Sequence, residues 1–306
     1  MKVVVTGANG KVGRAAVEAL LNAGHDVTGV DLARPVFERA VEGAARYQMA
    51  DLTDAGEAFA VIRGADAVVH TAAIPDPTAN PAHVVFRTNL MATFNVLEAA
   101  VRFGVPRFVN ISSETVPGFL FAERGFLPEY APVDEDHPAH PQDPYALTKL
   151  FGEQLMDAAV ARSDIRCISL RPSWVQNEDN YEQNLGPLVR DAALSSGNLW
   201  SYTDAYDLAN AIVLAAESEP ARPRGVLYRR AGHCRRSRLR RAAARALWGH
   251  DPAAAPLPPG CLRHLERQGE APARLGSEAV LAGLPRRRRH GAGALVTRVR
   301  NTEELG

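Results

Sequence analysis

A tyrosine and a lysine four positions apart, preceded by two serines, form the set of side chains best suited to acid–base chemistry. Tyr145 and Lys149 stand in YALTK, and Ser112 and Ser113 stand in NISSETV. Residues four apart on a helix share a face, and an ammonium beside a phenol lowers the tyrosine pKa from its ordinary value of about 10. The spacing predicts Tyr145 as a general base, with a serine hydroxyl bound to the same substrate oxygen. Alone, a YxxxK pattern also arises by chance in helices.

A glycine turn near the start of the chain predicts a second kind of chemistry. In TGANGKVG, Gly7, Gly10 and Gly13 follow an apolar run and open a helix-period stretch. Such glycines let the backbone approach a pyrophosphate at a helix N-terminus. Asp31, in TGVDLA, is placed to accept hydrogen bonds from an adenosine ribose, although it could also be a solvated residue at a strand end. Its charge opposes a 2′-phosphate and favours NAD over NADP, with Arg34 nearby as the opposing signal.

The elements that must position these residues alternate along the chain. Short apolar runs rich in β-branched residues alternate with helix-period stretches as far as about Gly225, which is typical of a parallel sheet covered on both faces. We expect a doubly wound, Rossmann-type α/β fold. The predicted strands are KVVVT, HDVTGV, ARYQMA, ADAVVHTA, PRFVNIS and IRCISLRP, and the span FLPEYAPVDEDHPAHPQDP is predicted to be a long loop.

Composition excludes several classes of protein. The chain has 306 residues, is 46% apolar and has no formal net charge. No apolar run reaches membrane-spanning length and the start lacks the pattern of a signal peptide, so we expect a cytoplasmic protein with no membrane partner. Cys167, Cys234 and Cys261 show no CxxC spacing, which predicts reduced thiols and no metal site.

Residues 1–228 resemble the extended short-chain dehydrogenases, specifically the NAD-dependent epimerase/dehydratase family. Besides the glycine turn, Asp31 and YALTK, the resemblance rests on a DL pair, an HxAA segment, a helix asparagine and the string LRPSWV. The DL pair is Asp51 and Leu52, the HxAA segment contains His70, Ala72 and Ala73, and the helix asparagine is Asn89. The resemblance implies an enzyme that transfers a hydride between NAD and a sugar or nucleotide-sugar hydroxyl, as a sugar 4-epimerase or a dehydrogenase.

The resemblance also implies roles for individual residues. The dinucleotide contacts would be Gly7, Asn9, Gly10, Val12, Gly13, Asp31, Asp51, Leu52, Ala72, Ala73 and Asn89. Lys149 would also hold the nicotinamide ribose, and Pro172 and Ser173 would flank the nicotinamide. Ser113 and Tyr145 would bind the reacting hydroxyl, with Glu114 and Trp200 at the substrate. The resemblance further implies a homodimer, an NAD-binding domain over 1–172, and substrate-lobe segments with the last strand over 173–228, a small and incomplete lobe.

Departures from the family pattern narrow the reaction. Dehydratases follow the hydroxyl residue with Asp and Glu, whereas Glu114 and Thr115 stand here, so elimination of water is not expected. Trp200 replaces the arginine with which epimerases grip a UDP phosphate. Together with the short span from Arg171 to Trp200, this resembles uronate dehydrogenases and other members with nucleotide-free substrates, a ketoreductase included. The alternative outside enzymes is a catalytically silent NAD-binding regulator.

The C-terminal end differs in composition from the rest of the chain. Residues 222–306 contain 19 Arg, no Lys and 6 acids. One hypothesis is a nucleic-acid arm. The favoured hypothesis is a shifted reading frame over 229–306, because GC-rich codons for this stretch, read one base later, give strings typical of the family's C-terminus. We therefore expect no nucleic-acid partner, little regular packing from about Arg229, and a final sheet strand at VLY, residues 226–228.

Overall fold

The computed structural model describes residues 1–34, 45–78, 80–130, 133–191, 198, 201–218 and 227–231. Seven strands form one parallel sheet in the order β3-β2-β1-β4-β5-β6-β9, and β7 pairs with β8 in a separate parallel ribbon. The strands are β1 (Lys2–Thr6), β2 (Asp26–Asp31), β3 (Arg46–Met49), β4 (Ala67–His70), β5 (Arg107–Ile111), β6 (Arg166–Pro172), β7 (Trp174–Gln176), β8 (Tyr202–Asp204) and β9 (Leu227–Ala231).

Helices cover both faces of this sheet. They are α1 (Lys11–Asn22), α2 (Ala55–Ile62), α3 (Ala82–Arg102), α4 (Pro144–Arg162), α5 (Tyr181–Asn184), α6 (Gly186–Arg190) and α7 (Ala205–Glu217). Neighbouring residues of a strand point to opposite faces. Val5 accordingly packs in one core with Leu20 of α1 and Ile212 of α7, whereas Val4 packs in the other with Met156 of α4. Burial on both faces explains the continuous apolar runs and confirms the predicted doubly wound fold.

The carboxyl ends of the parallel strands meet at one edge of the sheet. The strand order reverses between β1 and β4, because β2 and β3 extend to one side and the later strands to the other. In open α/β sheets a crevice for ligands forms at this reversal. The turn after β1 and the segments after β2, β4, β5 and β6 therefore share one edge.

The final strand is predicted at VLY, and β9 begins within that string at Leu227, whereas Val226 lies outside the described residues. β9 pairs in parallel with β6, with Leu227 opposite Ile168 and Tyr228 opposite Ser169. The pairing continues through Arg229 and Arg230 to Ala231, so the expectation of little regular sheet from about Arg229 is wrong for these residues. Backbone N–H and C=O groups make this pairing whatever the side chain is. Residues 232–306, and with them most of the shifted-frame hypothesis, lie outside the described residues.

The described residues bear on two of the predicted absences, a membrane span and a metal site. No helix there is both long and apolar enough to span a bilayer. The same ranges contain no group of three or more His, Cys, Asp or Glu side chains able to hold a metal ion. Cys167 is a buried free thiol, whose pKa burial raises to about 12. The division into domains at residues 172 and 228 stays a prediction.

Candidate active site

The turn between β1 and α1 leaves no room for a side chain at Gly7 or at Gly13. Gly7 has a φ of 69°, and a Cβ there would lie 2.6 Å from the Ala72 backbone nitrogen. A Cβ on Gly13 would lie 2.1 Å from the Gly7 carbonyl oxygen. Gly10 caps the first turn of α1, where no side chain caps the amides and no acidic residue stands. Bare amides at a helix N-terminus fit the pyrophosphate of a dinucleotide.

Asp31 ends β2 beside this turn, with its carboxylate held by backbone amides. One oxygen accepts from the Asn9 N–H at 2.9 Å and the other from the Leu32 N–H at 2.8 Å. Each carboxylate oxygen has a second lone pair, so the group can still accept ribose hydroxyls. The Asn9 amide nitrogen donates to the Ala33 carbonyl at 2.6 Å, and its buried Oδ1 has no partner among the described residues.

The segments after β3 and β4 are held by two asparagines of α3. The Asn89 Oδ1 accepts from the Ile74 N–H at 2.7 Å, and its Nδ2 donates to the Ile74 carbonyl at 3.0 Å. The amide thus fixes the backbone that follows Ala72 and Ala73. Asn95, which the sequence analysis missed, donates to the Leu52 carbonyl at 3.0 Å. Direct contact of Asn89 with the dinucleotide stays a prediction, since both ends of its amide already bind the chain.

Four more of the predicted cofactor residues also lie at this edge. Val12 is in the first turn of α1 and packs against the core beneath it, and Leu52 is buried directly after β3. Asp51 is exposed, and its Oδ1 accepts from the Thr53 N–H at 2.9 Å. Pro172 is the last residue of β6. These four residues therefore lie at the same edge of the sheet as the glycine turn, and their contacts with a cofactor stay predictions.

Tyr145, Ser113 and Lys149 come together as the sequence analysis expected. Asp143 caps α4 by accepting from the Ala146 N–H at 2.9 Å, and Pro144 begins the helix, which places Tyr145 in its first turn. The Ser113 side chain acts on the Tyr145 hydroxyl and lowers its pKa. The Lys149 ammonium lies 5.5 Å from the Tyr145 ring centroid and donates to the carbonyl of Ile111 at 2.6 Å.

The charge balance of this cluster differs from the expectation of a lowered tyrosine pKa. Loss of hydrating water raises the pKa of Tyr145 to about 12, against an opposing effect of the Ser113 hydrogen bond. Desolvation also lowers the pKa of Lys149 to about 8, while the Glu153 carboxylate acts to raise it. In this arrangement desolvation outweighs the lysine charge, because the ammonium binds a carbonyl and not the phenol.

Glu114, which follows β5, forms hydrogen bonds with Trp174 of β7 and with Ser201, which precedes β8. Its Oε1 accepts from the Trp174 N–H at 2.9 Å and its Oε2 from the Ser201 hydroxyl at 2.8 Å. Ser173 donates its N–H to the Thr203 hydroxyl at 3.0 Å, and its own buried Oγ has no partner among the described residues. Trp200, predicted at the substrate, lies outside the described residues.

Two buried charged residues near the cluster were not singled out from the sequence. Glu153, one turn after Lys149, receives two hydrogen bonds from the Arg171 guanidinium, at 2.7 and 2.6 Å. The available signals were an acid four positions after Lys149 and a charge inside the apolar strand IRCISLRP. Neither signal by itself distinguishes a buried pair from two solvated residues.

His70 of the HxAA segment is a buried titratable residue at the end of β4. Its ring contacts the hydroxyls of Thr6 at 2.8 Å and Thr93 at 3.1 Å. Complete burial, together with the nearby Lys149 charge, lowers the pKa of His70 to about 3. The ring is therefore neutral and joins β1, β4 and α3 behind the site.

Comparisons with known proteins agree with this geometry. The model of the "NAD dependent epimerase/dehydratase family" matches residues 3–227. The chain is 32% identical to an L-arabinose 1-dehydrogenase (NAD(P)(+)) of Haloferax volcanii over 64% of this chain and 78% of that protein. It is 30% identical to a UDP-glucose 4-epimerase of Corynebacterium glutamicum over 72% of each chain.

A solved structure shows the same similarity in three dimensions. A short-chain dehydrogenase/reductase superfamily protein from Agrobacterium tumefaciens, crystallised with bound NAD, is 28% identical and has a TM-score of 0.60. The match covers 76% of this chain and 77% of that one. The family match over residues 3–227 includes strands β2 to β8 and the predicted site residues.

Proposed function

The chain belongs to the NAD-dependent epimerase/dehydratase family, so it is an enzyme with NAD as cofactor, and on that premise we propose that it oxidises a ring hydroxyl of a sugar. The observation that carries this proposal is the arrangement of Tyr145, Ser113 and Lys149: the Ser113 side chain acts to lower the pKa of Tyr145 against its desolvation, and the Lys149 ammonium lies 5.5 Å from the Tyr145 ring centroid. This arrangement supports a proton acceptor and a hydroxyl-binding group at the edge of the sheet where we propose that the dinucleotide binds.

Different residues at this edge would bind the cofactor and act on the substrate. Gly7, Gly10 and Gly13 would admit the pyrophosphate, and Asp31 would hold the adenosine ribose. The cofactor supplies a nicotinamide ring that accepts a hydride. Ser113 orients the substrate hydroxyl by a hydrogen bond, and Tyr145 takes its proton as general base.

Lys149 supplies the charge that this proton transfer needs. A phenol whose pKa is about 12 forms a phenolate only with help from a nearby cation. The Lys149 pKa of about 8 means that the ammonium predominates below that pH and is lost above it. We infer that turnover falls on the alkaline side as Lys149 loses its proton.

Glu114 supports oxidation without loss of water. Its two carboxylate oxygens hold Trp174 and Ser201, so the group acts as a tie between strands. An acid that eliminates water must deliver a proton to a leaving hydroxyl. Glu114 would have to give up these contacts to do so.

The substrate is a sugar, either free or attached to a nucleotide. The similar arabinose dehydrogenase acts, by its name, on a free sugar, and the similar epimerase on a UDP-sugar. The alternative of a uronate-dehydrogenase-like or ketoreductase enzyme with a nucleotide-free substrate rests on Trp200. The cytoplasmic location and the homodimer stay predictions.

The full-length protein with excess NAD tests this proposal against L-arabinose, a hexuronate and UDP-glucose. Growth of NADH absorbance with one of these sugars indicates a dehydrogenase. Inversion at carbon 4 without net NADH indicates an epimerase that re-reduces its own intermediate. If NAD binds but no sugar is turned over, the catalytic proposal is wrong and the NAD-binding regulator takes its place.

A further inference from the structure

Glu153 lies one helical turn beyond Lys149 on α4, on the side that faces the sheet. Residues four apart on a helix are neighbours on one face. Glu153 is 2% exposed and Arg171 of β6 is 8% exposed. Both charges have lost most of their water, which costs free energy. The presence of this buried ion pair close to a reacting group therefore requires a physical explanation.

The Glu153 carboxylate joins α4 and the end of β5, which carry the proposed catalytic residues, to the end of β6. Its Oε1 accepts from the Ser112 hydroxyl at 2.5 Å and from the Arg171 Nε at 2.7 Å, and its Oε2 accepts from the Arg171 Nη2 at 2.6 Å. Ser112 directly precedes Ser113, and Arg171 directly precedes Pro172. One side chain thus links the end of β5 and the end of β6 to the helix that presents Tyr145.

The same carboxylate acts on the charge of Lys149. On α4, Glu153 acts to raise the Lys149 pKa, against its desolvation, and the Tyr145 ring lies 5.5 Å away. From β5, the Ile111 carbonyl accepts from the ammonium. From β4, His70 is the other titratable group coupled to Lys149, and it is neutral. Among these groups of the described residues, Glu153 is the one whose negative charge favours the ammonium.

We propose that Glu153 is a positioning residue for the reaction: it keeps Lys149 in its ammonium form and, through Ser112 and Arg171, holds the strand ends beside Tyr145. This inference rests on the proposed function of Lys149 and Tyr145. A buried ion pair is often no more stabilising than apolar residues of the same volume. Its presence here is therefore explained by what it does to Lys149 and to the strand ends.

The test uses the small number of lysines in the chain. Lys2, Lys11 and Lys149 are its three lysines, so NMR of the full-length protein with isotope-labelled lysine gives few signals, and a Lys149→Met sample assigns one of them. In Glu153→Gln we expect the titration midpoint of Lys149 to fall by about one pH unit, because a neighbouring negative charge is lost. The alkaline limb of turnover against pH should move in the same direction.

One further variant separates the effect of the Glu153 charge from that of its side-chain length, and another variant serves as a control. Glu153→Asp keeps the charge on a shorter side chain, so the Lys149 midpoint should stay near the wild-type value while turnover falls. Glu98→Gln, the matched control, breaks an ion pair with Arg162 at the last residue of α4 and should leave the midpoint unchanged. A Glu153→Gln protein that folds and titrates like wild type at Lys149 overturns the proposal.

Glu153→Gln leaves Arg171 buried without its carboxylate, so a second variant guards against loss of folding. Glu153→Gln with Arg171→Met removes both charges, and its Lys149 midpoint should lie between those of wild type and the single variant. A wild-type midpoint in the folded double variant also overturns the proposal. The NMR titration is independent of turnover, so a shift seen in an enzyme that turns over no sugar would contradict the proposed function alone.

Discussion

The turn after β1 and the cluster after β5 lie at the same edge of the sheet, yet they differ in what they are made of. The turn is backbone: a Cβ on Gly13 would meet the Gly7 carbonyl at 2.1 Å. The cluster is made of side chains: Ser113 acts on the pKa of Tyr145, Lys149 donates to the Ile111 carbonyl, and desolvation shifts the pKa values of Tyr145 and Lys149 in opposite directions.

This difference predicts two kinds of failure. A substitution in the turn acts through shape and should weaken cofactor binding. A substitution in the cluster acts through protons and charges and should slow turnover while cofactor binding is retained. The following variants distinguish the two regions. A variant in one region that shows the defect expected for the other region would contradict this difference.

The largest effect is expected for Tyr145→Phe, which removes the proton acceptor and leaves the ring. Turnover at saturating substrate should fall by about 10²-fold or more, the usual contribution of a general base. NAD affinity, measured by calorimetry, should change little. The control is Tyr47→Phe on β3, at the opposite end of the sheet, which should keep wild-type turnover. Near-normal turnover of Tyr145→Phe would remove Tyr145 from the proposed mechanism.

A smaller effect is expected for Gly13→Ala, which inserts a methyl group where the Gly7 carbonyl lies. Overpacking of this kind costs about 1–3 kcal/mol, and the turn must move to relieve it. NAD affinity should fall by roughly tenfold or more, at 1.4 kcal/mol for each factor of ten. Gly125→Ala, with no atom within 4 Å of its added Cβ, should bind NAD normally. Tight NAD binding by Gly13→Ala would contradict the steric account of the turn.

The smallest effect is expected for Asp31→Ala, because the Asp31 carboxylate already shares its charge with two backbone amides. Loss of its ribose hydrogen bonds should weaken NAD by about tenfold, and loss of its charge should relax the preference over NADP. Asp31→Asn keeps an acceptor without the charge, so it should recover part of the NAD affinity but not the preference. Unchanged discrimination in Asp31→Ala would mean that Asp31 does not face the ribose.

Much of the predicted cofactor-binding region could be predicted from local sequence patterns. The glycine spacing, Asp31 at the end of β2 and the apolar runs of the sheet each depend on neighbouring residues, and the structure places all of them as predicted. The strand at Leu227 was also predicted, although it continues to Ala231 because pairing with β6 uses backbone groups.

Other features of the cluster were not predictable in this way. The Tyr145 pKa was expected to fall, yet it rises to about 12, because local spacing carries no information about how much water remains. The Asn89 amide binds the Ile74 backbone, a contact that no motif indicated, and its contact with the dinucleotide stays a prediction. Both outcomes depend on groups that are distant in sequence and close in the fold.

By itself the sequence determined the parallel sheet, the glycine turn and the identities of the proton-handling side chains, because hydrophobic period and turn chemistry are local properties. Only the tertiary structure decided which charges share a buried site. Ser112, Glu153 and Arg171 come from β5, α4 and β6, and their hydrogen bonds exist because the parallel strands end at the same edge. Charge interactions depend on distance and on excluded water, and the packed chain sets both.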